Sequence, residues 1–199
     1  HFNGRSGMGA VMGSKNLKAI AVRGQRPRPP AHPERVHALA RWVAGHYRTL
    51  ARGFHEFGTG AAMVSFNLTG NLPVRNFRDG YFAETPQITA EAVKETIRIG
   101  MEGCYACPVR CKKVVRVATP YSVDPAYGGP EYETLASCGS NCGVGELAAI
   151  AKAHELCHAH GLDTIAPGAT VAFAMECFEQ GILTKADCDG LELRWGDGA

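Results

Sequence analysis

The sequence contains no apolar run of the roughly 18 residues that a membrane-spanning helix needs. It also has no excess of charge, because 21 Lys and Arg against 19 Asp and Glu give a net charge of +2. Such a balance offers no electrostatic reason to bind nucleic acid or a membrane surface. The opening residues, His1 to Gly4, do not have the pattern of a secretory signal, and we expect none. We therefore expect a globular protein with no nucleic-acid partner and no membrane span.

An initiator methionine is also missing, since the chain opens on His1, and no recognisable motif closes it before Ala199. These two features predict an internal piece of a longer protein. A motif that is absent here cannot then be taken as absent from the complete protein. A length of 199 residues is enough for one large domain or two small ones.

A proline-rich stretch at about residues 24–33 predicts a boundary between a segment 1–26 and a segment 33–199. The first segment combines a glycine-rich loop with one short buried strand, and the second is mostly helical by its three- and four-residue apolar spacing. We predict helices from Pro33, over 61–68, from Thr89 through Ile99, over 146–160 and over 168–180, and strands over 17–22 and 114–117. The predicted fold class is α+β.

Eight cysteines are present, and Cys104, Cys107 and Cys111 follow the spacing C-x2-C-x3-C. Because nothing indicates secretion, we expect metal binding in the reducing cytoplasm and not a disulfide framework. Three close thiolates without a local fourth favour an iron–sulfur cluster over zinc, whose ligands usually come in two pairs. Three unbound thiols or a mixed disulfide are the alternative. A fourth ligand stays open among five cysteines for which core packing is individually favoured: Cys138, Cys142, Cys157, Cys177 and Cys188.

Residues 4–16 combine four glycines with Arg5 and Lys15. Amide N–H groups and cations in such a loop can bind phosphate, although many glycine loops only turn the chain. Glu131 and Glu133 lie two residues apart in a stretch rich in glycine and proline. One of them could act as a general acid or base in a cleft, and the alternative is a solvated loop that leads into a helix.

The segment 160–164 has an explanation that needs no ligand. Gly161 is suited to end the preceding helix, and Asp163 or Thr164 to cap the next one.

Taken in order, these segments resemble the aldehyde:ferredoxin oxidoreductase family. Residues 4–24 are similar to the signature that closes the family's N-terminal pterin-binding domain, and residues 104–111 to its three local cluster cysteines. Residues 71–82, 129–143 and 160–183 also resemble family segments. The resemblance covers almost the whole chain, and several motifs in the family's order are more specific than any one of them.

The resemblance implies a tungsten (or molybdenum) ion held by two pterins, a [4Fe–4S] cluster, and oxidation of an aldehyde to a carboxylic acid with electrons passed to ferredoxin. It also implies a homo-oligomer or a complex with a ferredoxin-like subunit. The implied site residues are Cys104, Cys107 and Cys111 for the cluster; Arg5, Gly7, Gly9 and Ala10 for the pterin phosphates; Gly161, Leu162 and Asp163 for a pterin contact; and Glu133 or Glu131, with Glu133 preferred, as the carboxylate near the metal.

Two residues depart from the family pattern. Ser6 replaces a glycine, which is a mild change only if its φ is not positive, and His158 replaces the first aspartate of D-x-x-G-L-D. Two other functions remain open. One is a superfamily relative with different redox chemistry, such as the benzoyl-CoA reductase type. The other is an electron-transfer or structural module that holds a cluster or zinc without substrate chemistry.

Overall fold

The computed structural model describes residues 4–25 and 28–199 and shows an α+β fold dominated by helices, as predicted. None of the helices in these two ranges is long and apolar enough to cross a membrane. The helices are α1 (Met8–Ser14), α2 (Pro33–Leu50), α3 (Arg52–Phe57), α4 (Met63–Leu68), α5 (Ala90–Thr96), α6 (Tyr132–Thr134), α7 (Leu147–His160) and α8 (Ile165–Glu179), and the strands are β1 (Arg98–Glu102) and β2 (Lys112–Val115).

Several helix ends follow the local signals in the sequence. Pro33 occupies the first turn of α2, and α7 ends on Gly161, whose left-handed φ of 68° suits glycine. The Thr89 hydroxyl caps α5 by accepting a hydrogen bond from the Ala92 amide at 3.1 Å. However, α5 ends at Thr96, three residues before the predicted Ile99, because the chain then enters β1.

The N-terminal segment differs from the prediction. Residues 8–14, expected to be loop, form α1, and residues 17–22, expected to be a buried strand, have no regular secondary structure and are exposed. Ile20 is 75% exposed and Val22 86%. A strand needs a partner for its backbone N–H and C=O groups, and no part of the described chain pairs with this one. Arg26 and Pro27 of the predicted linker lie outside the described residues.

The hydrophobic core lies in the second segment. It joins the helical run 132–142, in which α6 passes through a π-helical turn (Leu135–Gly139), to α7, α8 and the inner face of β2. Side chains with almost no exposure include Met63, Ile88, Val115, Leu135 and Ile150.

The approach of α8 to the π-helical turn requires glycine at position 168. A Cβ at Gly168 would lie 2.6 Å from the carbonyl carbon of Ser137, which is backbone and cannot move aside. α8 begins at Ile165, three residues earlier than predicted, and therefore includes this contact.

The two strands form an antiparallel hairpin whose loop holds the three clustered cysteines. Glu102, at the end of β1, is the register partner of Lys112, at the start of β2. The predicted strand 114–117 thus begins two residues earlier, and Val117 forms only an isolated bridge with Val123. Lys113 and Val115 are the buried residues of β2.

We predict that Gly168→Ala destabilises the protein by about 1–3 kcal/mol, because the added methyl group overpacks a rigid backbone contact. The matched control is Gly45→Ala in α2, where a Cβ would meet nothing within 4 Å. That change should stabilise the protein by about 0.5–1 kcal/mol through the unfolded state. Urea unfolding followed by circular dichroism measures both. Equal effects of the two substitutions would contradict the close-contact explanation.

Candidate functional site

A polar cavity of about 520 Å³ lies where the N-terminal segment, the base of the hairpin, the 126–134 segment and the end of α7 meet. Five of the residues implied by the resemblance line it: Arg5, Glu131, Glu133, Leu162 and Asp163. Gly7, Gly9, Ala10 and Gly161 are not among its lining residues. Gly7 and Gly161 instead occupy helix boundaries, where their left-handed conformations set the direction of the chain.

Arg5 and Asp163 form an ion pair at the edge of this cavity. The Arg5 Nε lies 3.0 Å from the Asp163 Oδ1, and the Asp163 side chain is 23% exposed. Asp163 reaches the cavity because Gly161 turns the chain, and the Leu162 amide donates to the Cys157 carbonyl at 2.7 Å. Gly161 is the C-cap of α7 and Thr164 the N-cap residue of α8, as the ligand-free explanation expects, although the Thr164 side chain makes no capping hydrogen bond.

Ser6, which replaces a glycine of the family pattern, has a φ of 68°. The replacement of glycine by Ser6 is therefore not a mild change, because that required a φ that is not positive. A serine in the left-handed region is strained by about 1 kcal/mol. The backbone at Ser6 nevertheless has the left-handed conformation that glycine would favour. The serine therefore adds strain energy at a position whose backbone conformation still suits glycine.

Glu131 is held by three hydrogen bonds through one carboxylate oxygen. The Thr59 hydroxyl donates to Oε2 at 2.6 Å, the Thr59 amide at 3.3 Å and the Lys113 ammonium at 2.9 Å. Burial alone would raise the pKa of Glu131, but the charge of Lys113 and the bonds from Thr59 outweigh it and lower the pKa below its ordinary value. Glu131 is thus an ionised carboxylate whose position is fixed.

Glu133 is half-buried and lines the same cavity. Unlike Glu131, its carboxylate makes no hydrogen bond or ion pair with any described residue. A carboxylate that is close to a ligand and has unused lone pairs is suited to accept or release a proton. Between the two carboxylates that the sequence leaves open, the geometry therefore favours Glu133 for proton transfer.

His154 and His158, one turn apart on α7, form a wall of the cavity with ring centroids 3.9 Å apart. His154 is only 3% exposed, and its Nε2 lies 3.0 Å from the Tyr127 carbonyl oxygen, so Nε2 is the nitrogen that bears the hydrogen. Its Nδ1 is buried and has no hydrogen-bond partner among the residues that the structure describes. Burial, followed by the neighbouring His158, lowers the pKa of His154 to about 4, so this imidazole is neutral near pH 7.

The cysteine loop begins and ends at the edge of this cavity, because Glu102 and Lys112 at its base both line it. Cys104 and Cys107 are exposed and Cys111 is half-buried. The Cys107 amide donates to the Cys104 carbonyl at 3.0 Å, so the first two thiols lie on one tight turn. Across residues 4–25 and 28–199, no three His, Cys, Asp or Glu side chains are already gathered around a metal-sized space. The donor set has the chemistry of a cluster site, whereas the loop geometry does not bring all three thiols together.

The other five cysteines lie away from the loop's turn. Cys138, Cys142 and Cys157 line a second, apolar cavity of about 520 Å³, Cys177 is buried, and Cys188 is half-buried. Burial raises the pKa of Cys138 to about 11 and that of Cys142 to about 12. These two thiols are thus neutral near pH 7, as expected of core cysteines.

The sequence analysis missed the structural role of Lys113. Its side chain is completely buried, although a lysine beside Lys112 and Arg110 is normally interpreted as a solvated charge. The available signal was the alternation in β2, because Lys113 lies on the same strand face as Val115 and Val117. His154 has a similar signal, since it shares the apolar stripe of α7 with Leu147, Ile150 and Ala151.

We predict that His154→Phe reduces the loss of stability at acidic pH. Folding lowers the pKa of His154 from 6.5 to about 4, so the unfolded state binds more protons between these values and stability falls as the pH falls through that window. The linkage amounts to about 3 kcal/mol. Unfolding at pH 7 and at pH 4.5 measures it. His37→Phe, at an exposed position of α2, is the control; a wild-type pH dependence in His154→Phe would refute the assignment.

Comparison with known proteins places these features in a family. A family model described as aldehyde ferredoxin oxidoreductase, domains 2 and 3, matches residues 35–199, and the model of the N-terminal domain matches residues 1–24. The tungsten-containing aldehyde ferredoxin oxidoreductases of Thermococcus kodakarensis and Pyrococcus furiosus are 38% and 37% identical over 198 residues, which is 98% of this chain and 32% of each relative.

Another relative is the aliphatic sulfonate oxidoreductase, WOR-like subunit, of Pyrococcus furiosus. It is 36% identical over 202 residues, which is 99% of this chain and 32% of the relative. The chain thus spans about a third of the length of the curated relatives it matches. Since one family model covers most of its residues, the chain belongs to the aldehyde ferredoxin oxidoreductase family.

Proposed function

We propose that the chain is part of a tungsten–pterin oxidoreductase that oxidises aldehydes to carboxylic acids and passes the electrons through a [4Fe–4S] cluster to ferredoxin. The observation that supports this most directly is the position of the cysteine loop. The loop emerges from the edge of the cavity that holds the Arg5–Asp163 pair and the free Glu133 carboxylate. The proposed electron-relay loop and the proposed ligand cavity are therefore neighbours.

The residues around the cavity offer a polar cofactor both cations and carboxylates, because Glu102, Glu131 and Glu133 line it as well. Arg5 and Lys112 supply positive charge, and Asp163 supplies hydrogen-bond acceptors. In this proposal Arg5 binds the pterin phosphates, and Leu162 and Asp163 contact the pterin from the cavity lining. The proposal adds the backbone of Gly7, Gly9 and Ala10 for the phosphates and Gly161 for the pterin, although these four residues are not in that lining. When bound, the metal–pterin group supplies the two-electron redox chemistry that the protein's own side chains lack.

The chain's own residues then handle protons and orientation. Oxidation of R–CHO with water gives R–COOH, two protons and two electrons. Glu133 accepts a proton from the water that attacks the carbonyl carbon and releases it towards solvent. Glu131 keeps the neighbouring backbone in place, and neutral His154 and Tyr127 close the opposite wall of the cavity.

The cluster is proposed to be ligated by Cys104, Cys107 and Cys111, with the fourth ligand outside this set. The support is the chemistry of the donors and their spacing, because three local cysteines with one remote partner are a common way to bind such a cluster. Ferredoxin, or a ferredoxin-like subunit, is the proposed electron acceptor, in a homo-oligomer or larger complex in the cytoplasm.

Two further proposals follow from the comparisons. The domain boundary between segments 1–26 and 33–199 is supported by the two family models, whose matches end and begin on either side of the prolines. A second substrate class is supported by the relative named as an aliphatic sulfonate oxidoreductase subunit. A screen of aldehydes and aliphatic sulfonates with the same purified protein distinguishes the two.

Metal and labile-sulfide analysis of the complete, anaerobically purified protein tests the cofactor assignment. We expect four irons with tungsten or molybdenum and pterin for each chain. Cys107→Ala should lose most of the iron, whereas Tyr105→Ala, a fully exposed residue of the same loop, should keep it. Zinc alone, or iron without pterin, would refute the oxidoreductase mechanism and support a relay or structural module.

Glu133→Gln tests the proposed proton-transfer group. The amide cannot accept the proton at neutral pH, so we expect kcat to fall by a factor of about 10² to 10⁴ with iron and tungsten content unchanged. The change should leave thermal stability near the wild-type value, because the carboxylate has no partner among the described residues. Full activity in this variant would assign proton transfer to another group.

A further inference from the structure

Lys113 is a charged side chain with no solvent exposure, and the proposed mechanism gives it no role. Its Nζ lies 2.9 Å from the Glu131 Oε2 and 3.4 Å from the Phe57 carbonyl oxygen. The Glu131 side chain itself is 29% exposed, at the cavity wall. The ion pair therefore connects the interior directly behind the cysteine loop to the surface of the ligand cavity.

The space around this ammonium is shaped by Gly58. A Cβ at Gly58, where φ is 69°, would lie 2.5 Å from the Lys113 Nζ and 2.7 Å from the Cys111 carbonyl oxygen. Three segments thus meet at one point: the end of α3, the last residue of the cysteine cluster with β2, and the carboxylate-bearing 131–133 stretch. Only a residue without a side chain permits this contact.

Thr59 extends the connection from Glu131 to the residue beside Glu133. Its hydroxyl donates to the Glu131 Oε2 at 2.6 Å and accepts a hydrogen bond from the Tyr132 amide at 2.9 Å. The backbone between the two glutamates is therefore fixed from both sides. Any shift of Glu131 would move Glu133, which is the next residue to face the cavity.

We propose that Lys113 is a positioning residue: its buried ammonium anchors Glu131 and thereby holds Glu133 at the cavity wall, in register with the cysteine loop. This inference rests on the proposed function, because Glu133 is the proton-transfer group only there. Lys113 has no exposed side-chain surface and acts through Glu131, so it is a positioning residue and not a catalytic one.

Stability alone does not explain a buried lysine at this point. An ion pair removed from water often contributes less than well-packed apolar side chains of the same volume, whereas loss of one partner leaves an uncompensated charge. A role in geometry predicts something different, namely that an uncharged pair restores the fold without restoring the placement of Glu133. The other titratable residues that line the cavity are Glu102, Lys112, Tyr127, Glu133, His154, His158 and the Arg5–Asp163 pair.

The experiment compares Lys113→Met, Glu131→Gln and the double variant in the complete holoenzyme. Thermal midpoint, kcat normalised to tungsten content, and KM for an aldehyde are measured for each. Lys152→Met is the matched control, because Lys152 pairs with Glu155 at 2.6 Å but remains 30% exposed and lies outside the cavity lining. A partly exposed pair contributes little, so this control should keep the wild-type midpoint within about 2 °C.

We expect each single variant to lower the midpoint by about 5–10 °C and the double variant to recover most of that loss, because no unpaired charge stays buried. All three should keep kcat about 10- to 100-fold below the wild type with little change in KM. Midpoint losses that simply add would overturn the pairing. Recovery of both midpoint and kcat in the double variant would overturn the positioning role.

A structure of the double variant separates this inference from the proposed function. If the wild-type holoenzyme oxidises no aldehyde, the proposed function fails. The position of Glu133 in the double variant then tests the positioning role of Lys113 by itself. Displacement of Glu133 from the cavity wall in the double variant supports the positioning role. An unchanged position contradicts it.

Discussion

The buried contact between Lys113 and Glu131 joins three segments that are distant in sequence, and the arrangement of the cavity depends on it. Residues 57–59, β2 and the 131–133 stretch all contribute atoms to this contact. It lies between the wall of the polar cavity and the hydrophobic core that contains Val115 and Leu135. The contact combines the Lys113–Glu131 ion pair, Gly58 and Thr59. Each of these restricts the positions that the other two can take.

Much of the helical architecture could be predicted because its signals are local. Pro33, Thr89 and Gly161 each determine a helix boundary through their own backbone or side-chain chemistry. The strands were harder, since pairing depends on residues elsewhere in the chain. Residues 17–22 have the composition of a strand but no partner among the described residues, whereas β1, with Gly100 and charged ends, is a strand because β2 pairs with it.

The site shows a similar division. From residue chemistry alone, the glycine loop, the Glu131–Glu133 pair and the 160–164 segment each had an adequate explanation without a ligand. Their order along the chain suggested a family, and the fold brings Arg5, Glu133 and Asp163 to one cavity. Spacing could not show that Glu131 accepts three hydrogen bonds, whereas the Glu133 carboxylate accepts none from the described residues. That difference arises from Thr59, more than 70 residues away in sequence.

The sequence of β2 does not by itself determine the register in which the strand pairs. Residues 112–115 place one lysine and one valine on each face, so a slip by a single residue would still bury a Lys–Val pair. The register is selected outside the strand: the Val115 amide donates to the Gly128 carbonyl, and a Cβ at Gly129 would lie 2.7 Å from the Val115 side chain. Gly128 and Gly129, in the loop that follows, therefore fix the register of β2. They determine which of the two neighbouring lysines, Lys112 or Lys113, is buried and pairs with Glu131.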